Sequence, residues 1–165
     1  MTTTIATIRE KHDGTLSRST GIRLWLRLLS CSTVIEKRLR RRLIERFDTT
    51  LPRFDVLAAL DRHSEGMTLS ALSRSLLVSG GNVTSIVQAL VRDGYVDVTT
   101  AREDRRASIA TLTPSGQTHF DALSAAHHGW IEAMLAEVTP DQRQLLFELL
   151  GAVKLSIAHA DPGAA

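Results

Sequence analysis

Apolar side chains recur at helical spacing along most of the chain, and only two short stretches alternate as strands do. Between Leu16 and Phe47 there is no proline, and the apolar positions around Trp25 cover most of the helix circumference. The pattern predicts a first helix of roughly 25 residues, longer than a compact monomer of this size usually needs. A second helix is expected from Pro52 to about Arg62, because proline suits a first helical turn.

Two shorter helices joined by a turn are predicted in the middle of the chain. Thr68 is a favourable N-cap for a helix over 69–76, and a turn at 78–81 leads into a helix over 82–93. Gly94 is well placed to end that helix in the left-handed conformation. A short helix, a tight turn and a longer second helix are the arrangement of a helix-turn-helix unit.

The two alternating stretches follow this unit directly. Residues 95–99 and 108–113 predict the strands of a hairpin with a long charged tip. Two further helices are expected, one opening at Pro114 and one at Thr139–Pro140. The predicted fold class is therefore mainly α with a small β-wing, a winged helix-turn-helix between long N- and C-terminal helices.

Length and composition exclude several classes of protein. A chain of 165 residues suits one domain with short extensions, and its 43% hydrophobic content excludes disorder throughout. No apolar run is long enough to cross a membrane, and the start of the chain lacks a signal-peptide pattern, so we expect a cytoplasmic protein without membrane contact. No nucleophile–base pair, phosphate loop or carboxylate pair is recognisable, which predicts neither enzyme activity nor a cofactor.

Neither the cysteine nor the histidines predict a redox or metal site. Cys31 is the single cysteine and lies among leucines in the first helix, so a small buried or interface residue is expected rather than an oxidation sensor. The 6 histidines do not have the spacing of metal ligands. No metal site is predicted.

Charge is distributed unevenly along the chain. The net charge is +2, yet residues 1–106 carry 18 basic and 12 acidic side chains, whereas residues 107–165 carry 2 and 6. Of the 20 basic residues 17 are arginine, which forms forked contacts with phosphate and guanine. The excess favours a polyanionic partner for the first part of the chain, although a solvated arginine-rich surface would give the same count.

The helix over 82–93 presents an unusual exposed face of small or neutral hydrogen-bonding side chains that ends in one arginine. A merely solvated face usually carries Glu and Lys, which are better helix formers. Such a face therefore predicts base reading in a major groove, with a flexible glycine-rich helix start as the alternative. The candidate residues are Ser79, Gly81, Asn82, Thr84, Ser85, Gln88 and Arg92.

The tip of the hairpin is the second candidate element. Arg102, Arg105 and Arg106 stand beside Glu103 and Asp104 in one short loop. A slender basic loop suits the minor groove, whose negative potential attracts arginine. A loop that only keeps the hairpin soluble is the alternative.

Four segments together resemble the MarR family of bacterial transcription regulators: Thr68–Ser73, Leu90–Val96, Asp104–Ala107 and Leu112–Gly116. The resemblance extends over about residues 20–158, and the order of its motifs makes it specific. It implies a homodimeric winged helix-turn-helix protein that binds a near-palindromic operator in double-stranded DNA. Such a protein is usually a repressor that a small effector releases.

The resemblance also assigns regions and roles. Asp104 would buttress an arginine while Arg105 or Arg106 enters the minor groove, and the first and last helices would form the dimer interface. This implies four regions along the chain. They are a flexible N-terminus at 1–15, a helical dimerisation region at 16–50 and 114–160, the winged helix-turn-helix DNA-binding region at 51–113, and a frayed tail at 161–165.

An effector crevice, often for phenolic or other aromatic acids, is implied between the dimer helices and the DNA-binding part. Trp25, Arg27, Phe54 and His63 are the candidate ligand-binding residues, although Trp25 and Phe54 are also natural core residues. The remaining alternative for the whole protein is a winged-helix module that contacts another protein and binds no DNA. That module would not need Arg105 and Arg106, and its affinity would depend weakly on salt.

Overall fold

The computed structural model describes residues 19–76, 80–100 and 108–160. It is mainly helical with one small sheet, as the sequence predicts. The N-terminus that was predicted to be flexible (1–15), the predicted frayed tail (161–165) and the hairpin tip lie outside the described residues. The helices are α1 Thr20–Phe47, α2 Leu51–Asp61, α3 Leu69–Leu76, α4 Gly80–Arg92, α5 Pro114–Met134 and α6 Pro140–Ala160.

The sheet has three antiparallel strands in the order β1-β3-β2. The hairpin strands β2, Val96–Thr100, and β3, Ser108–Leu112, confirm the predicted wing. The strand β1, Met67–Thr68, was not predicted, because two residues are too few to show alternation. It pairs with β3 through Met67↔Ala110 and Thr68↔Ile109.

Two units can be distinguished along the chain, one up to His128 and one from Gly129 onward. In the first unit, α2 buries five of its eleven residues, among them Val56 and Leu57. Ala58 on the same helix is only half-buried. The fully buried side chains of other elements in this unit include Leu43, Leu72, Val83, Leu90, Val96, Ala110 and Leu123.

The end of α4 and the start of α5 form a tightly bonded corner, which we call the α4–α5 corner (residues 94–95 and 113–116). Gly94 has a φ of 76°, and the amide of Tyr95 donates to the carbonyl of Leu90 at 2.9 Å, so α4 ends as predicted. The hydroxyls of Thr113 and Ser115 donate to the carbonyl of Gly94 at 2.7 and 2.8 Å. The corner therefore fixes the end of α4 against the start of α5.

The second unit contains the end of α5 and the whole of α6. Thr139 and Gln142 form a reciprocal capping box, with the amide of Thr139 donating to Gln142 at 3.0 Å. The guanidinium of Arg143 donates to Glu132 at 2.7 Å and to the carbonyl of Leu135 at 2.8 Å. No residue of α6 is buried. Its exposed large apolar side chains are Leu145, Leu146, Phe147, Leu149, Leu150, Leu155 and Ile157.

The core alternative for Trp25 is wrong, because its side chain is 59% exposed. Cys31, predicted to be a small buried or interface residue, is exposed in the single chain. The reason is that only Leu26, Ser30, Leu39 and Leu43 of this long helix are buried. Among the described helices, none has the length and apolar character that crossing a bilayer requires.

Gly116 has no room for a side chain, because a Cβ there would collide with the backbone carbonyl of Tyr95. Replacing Gly116 with Ala should therefore lower the free energy of unfolding by about 1–3 kcal/mol, measured by urea denaturation. Gly129→Ala, on the same helix with nothing within 4 Å, is the matched control. The control should leave stability unchanged or raise it, because alanine favours helix. Equal behaviour of the two variants would contradict the tight corner.

Candidate nucleic-acid interface

One side of α4 is anchored in the core and the opposite side is open. Val83, Val87 and Leu90 are buried. The exposed positions include Gly81, Asn82, Ser85, Gln88 and Arg92. Thr84 is half-buried, and its hydroxyl donates to the carbonyl of Gly80 at 3.0 Å. Ser79 lies outside the described residues.

The start of α4 is bare. An added Cβ at Gly80 or Gly81 would meet no atom of the described residues within 4 Å, so packing against those residues does not require glycine at either position. Alanine forms helices more readily than glycine, so glycine at these two positions does not stabilise α4. The chain therefore presents its backbone to the surroundings at a position where a side chain would fit.

Two elements, α2 and α5, hold the other end of α4. Arg53 of α2 forms an ion pair with Asp93, which directly follows α4. The ring of Tyr95 stacks on the imidazole of His119 in α5, with centroids 4.1 Å apart and planes 4° from parallel. Burial lowers the pKa of His119, and the charge of Arg53 lowers it further against the opposing effect of Asp93.

The wing stem is a regular ladder. Its pairing runs without interruption from Val96↔Leu112 to Thr100↔Ser108. The segment between these last two residues is 101–107. The predicted minor-groove residues Arg102, Asp104, Arg105 and Arg106 belong to that segment and lie outside the described residues.

A cavity of about 370 Å³ opens beside α2 and α5 within the first unit. Phe54 lies in its wall, 5.8 Å from the ring of Phe120 and stacked at 4.5 Å on His127. Burial raises the pKa of Asp55. The charges of Arg40 and Arg62 lower this pKa by smaller amounts, and the charge of Glu36 raises it. The lining residues are Phe54, Asp55, Ala58, Asp61, Arg62, Leu76, Phe120 and Ser124.

The four predicted ligand-binding residues are not brought together. Phe54 lines the cavity, whereas Arg27 borders a separate hollow near Thr20. Trp25 is exposed on α1, and His63 lies at the surface with Nδ1 2.8 Å from the carbonyl of Ala59.

Sequence reasoning missed most of the cavity wall. Asp55, Arg62, Phe120 and Ser124 all line it. Their helical spacing was visible in the sequence, with Phe120 and Ser124 one turn apart, but the adjacency of α2 and α5 was not. Across residues 19–76, 80–100 and 108–160, no group of three or more His, Cys, Asp or Glu is placed to hold a metal ion.

Comparison with known proteins decides the family. The model of the MarR family matches residues 47–107. The transcriptional activatory protein BadR of Rhodopseudomonas palustris is 34% identical over 121 residues, which are 72% of this chain and 67% of BadR. The chain belongs to the MarR family. It is a MarR-type transcriptional regulator. The relatives that it matches are transcriptional regulators and not enzymes.

A further relative and two solved structures extend the comparison. The regulator PrsX of Escherichia coli is 33% identical over 98 residues, covering 59% of this chain and 57% of PrsX. The crystal structure of a MarR family regulator from Silicibacter pomeroyi has a TM-score of 0.71 at 30% identity, covering 83% of this chain and 94% of that one. The MepR–DNA complex of S. aureus shares the fold, with a TM-score of 0.70 at 18% identity, over 85% of this chain and 99% of that one.

The lowered pKa of His119 makes stability depend on pH. Unfolding restores the ordinary value of 6.5, so the unfolded state binds the proton first as the pH falls. The free energy of unfolding should therefore decrease as the pH falls below about 6.5, until the folded imidazole is protonated as well. Urea denaturation at a series of pH values measures this slope.

The variant His119→Gln cannot titrate at this position and should show a shallower decrease over the same pH range. His159→Gln, at the exposed end of α6, is the control and should keep the slope of the natural protein. A slope that His119→Gln leaves unaltered would show that the stacked imidazole does not contribute.

Proposed function

We propose that this MarR-type regulator is a homodimeric repressor that reads a near-palindromic operator in double-stranded DNA. In each protomer α4 enters a major groove, and the wing with Arg102, Arg105 and Arg106 reaches the adjacent minor groove. Asp104 supports one of these arginines. The observation that carries the proposal is the open face of α4, where bare glycines and small polar side chains stand opposite a fully buried stripe.

The face of α4 has the chemistry of a base reader. The side chains of Asn82 and Gln88 can form paired hydrogen bonds with adenine, and Ser85 can bond to any base edge. The glycines allow the backbone to approach a phosphate, whose charge suits the positive end of a helix. Because Val83, Val87 and Leu90 anchor the other side, these groups are held in place before binding.

The unburied apolar surface of α6 supports a dimer. Leu145 and Leu149 are each 56% exposed and lie one turn apart on the same face. On α1, Ile22, Leu24 and Trp25 are also about half exposed or more. A monomer rarely exposes so many large apolar side chains, whereas a homodimer interface buries them. A two-fold dimer would set its α4 helices about one DNA turn apart, ~34–36 Å.

The cavity beside α2 supports a small aromatic effector. The rings of Phe54 and Phe120 offer apolar contact, Arg62 can pair with a carboxylate, and Asp55 or Ser124 can bond to a hydroxyl. A volume of about 370 Å³ is in the range of small-molecule sites. The effector would bind on α2, which also holds Asp93 through Arg53, and so release the operator.

The protein would repress transcription where its operator overlaps the binding site of RNA polymerase. It would act in the cytoplasm, where that DNA lies. A gel shift with the duplex upstream of the protein's own gene, followed by a footprint, tests the function. We expect a two-fold protected site that a hydroxybenzoate probe releases, and a promoter reporter that the protein lowers. A protein that protects no site at low salt would instead fit the protein-contact module.

Replacing Gly81 with Ala should move stability and DNA affinity in opposite directions. The free energy of unfolding should rise by about 0.5–1 kcal/mol, because alanine is the better helix former. DNA affinity should fall several-fold, because the new methyl group stands between the backbone and the duplex. Gly129→Ala is the control, which should share the gain in stability and keep the affinity. If Gly81→Ala kept full affinity, the backbone approach would be refuted.

Replacing Leu149 with Asp should separate the protomers without unfolding them. The side chain is 56% exposed in the single chain, so the protomer loses no core contact. In the dimer the same carboxylate would be buried without a partner, and the dissociation constant should rise by roughly tenfold or more. Sedimentation velocity measures this change, with His159→Asp as the control on the same helix. An unchanged dimer would exclude this face of α6 from the interface.

A further inference from the structure

A titratable side chain lies beside the ion pair that holds the end of α4. The half-buried imidazole of His119 is stacked on Tyr95, and the charges of both Arg53 and Asp93 act on it. These four residues come from α2, the end of α4, the start of β2 and α5, and all of them belong to the first unit. The proposed reading of DNA and the proposed effector cavity make no use of this imidazole.

The ion pair is complete without a further cation. The side chain of Arg53 is only 23% exposed, and its Nη2 donates to Asp93. Its Nε is buried and has no acceptor among the described residues, so the guanidinium depends on this carboxylate. Arginine keeps its proton at every pH at which proteins fold. Arg53 therefore cannot give up its charge when a second cation appears.

The surroundings of His119 oppose a positive charge on its ring. Burial lowers its pKa most, the charge of Arg53 lowers it further, and Asp93 raises it by a smaller amount. The ring of Tyr95 covers one face of the imidazole. Asp121 lies two positions further along α5, on another side of that helix, where it accepts a hydrogen bond from Gln117. His119 is therefore neutral at neutral pH and takes up a proton only on acidification.

We propose that proton uptake by His119 is a second signal that weakens operator binding, because the imidazolium and Arg53 then compete for the single carboxylate of Asp93. Either Arg53 or the imidazolium has to withdraw. Withdrawal of Arg53 detaches α4 from α2, and withdrawal of the imidazolium breaks the stack on Tyr95. Both movements loosen the end of α4. The inference rests on the proposed function and adds a signal that acts beside the α4–α5 corner rather than in the cavity.

Thermodynamic linkage gives the sign of the effect. If DNA selects the fixed position of α4, it binds the neutral form of His119 better, and binding then releases a proton. Affinity should therefore fall as the pH falls through the range in which His119 titrates. The negative potential of DNA has the opposite effect on exposed histidines, because it favours their protonation and so strengthens binding in acid. A comparison of variants is needed to separate the two effects.

The experiment compares the natural protein with His119→Phe, which keeps an aromatic ring on Tyr95 but cannot titrate. Fluorescence anisotropy measures affinity for the operator duplex at constant ionic strength, from about pH 7.5 to about pH 5.5. The two proteins should bind equally at the upper end. At the lower end the natural protein should bind roughly threefold or more weakly than His119→Phe. His159→Gln, at the exposed end of α6, is the control and should keep the profile of the natural protein.

Arg53→Gln tests the competition without altering the stack. Without the guanidinium the imidazolium can take Asp93 for itself, so the loss of affinity on acidification should become smaller. The pKa of His119, followed by NMR of its ring protons, should rise in this variant, because the charge of Arg53 lowers it in the natural protein. An unchanged pKa together with an unchanged loss of affinity would overturn the proposal.

Hydrogen exchange tests the loosening of α4 in the protein without DNA. The amide of Tyr95 donates to the carbonyl of Leu90 at the end of α4. At about pH 5.5 this amide should exchange faster in the natural protein than in His119→Phe, and at about pH 7.5 the two should agree. The amide of Arg143, bonded to the carbonyl of Thr139 in the second unit, is the internal control and should not differ.

The outcomes separate the two claims. A natural protein that binds no duplex at neutral pH overturns the proposed function, and the exchange of the Tyr95 amide then decides whether the proton loosens α4. A natural protein that binds, with an affinity that follows the same pH profile as that of His119→Phe, overturns only the proton signal. Equal exchange of the Tyr95 amide in both proteins at the acid end would overturn it as well.

Discussion

The position of α4 depends on the α4–α5 corner. There the carbonyl of Gly94 accepts two hydroxyls, the amide of Thr113 donates to the carbonyl of Tyr95 at 3.1 Å, and Gly116 leaves no room for a Cβ against Tyr95. Because these hydrogen bonds join the end of α4 to the start of α5, α4 cannot rotate without breaking several of them at once. The Arg53–Asp93 pair adds a second attachment from α2. A helix that reads DNA benefits from such a fixed position, because ordering the helix only on binding would cost affinity.

The same attachments connect the proposed effector site with the proposed DNA face. Adjacent residues of α2 point in both directions, with Arg53 paired to Asp93 and Phe54 in the wall of the cavity. In the proposed mechanism an effector shifts α2 and thereby the end of α4. His119 lies at this junction, stacked on Tyr95, and its lowered pKa reflects the burial that the corner imposes.

Most of the fold could be predicted from the sequence because its boundaries are local. Thr68 and Thr139 cap their helices through their own hydroxyls, and Gly94 adopts the left-handed conformation that its position required. Features that depend on distant neighbours could not be predicted. The strand β1 exists only because β3 lies beside it, and the cavity exists only because α2 and α5 are adjacent.

The central claim is that two copies of α4 lie in successive major grooves on one side of a duplex. Methylation of guanine N7 by dimethyl sulfate reports directly on the major groove, so protection of the operator against this reagent is the most direct measurement. The account predicts two protected patches about one helical turn apart, related by two-fold symmetry. A single patch, or guanines that stay fully reactive while the protein is bound, would contradict it.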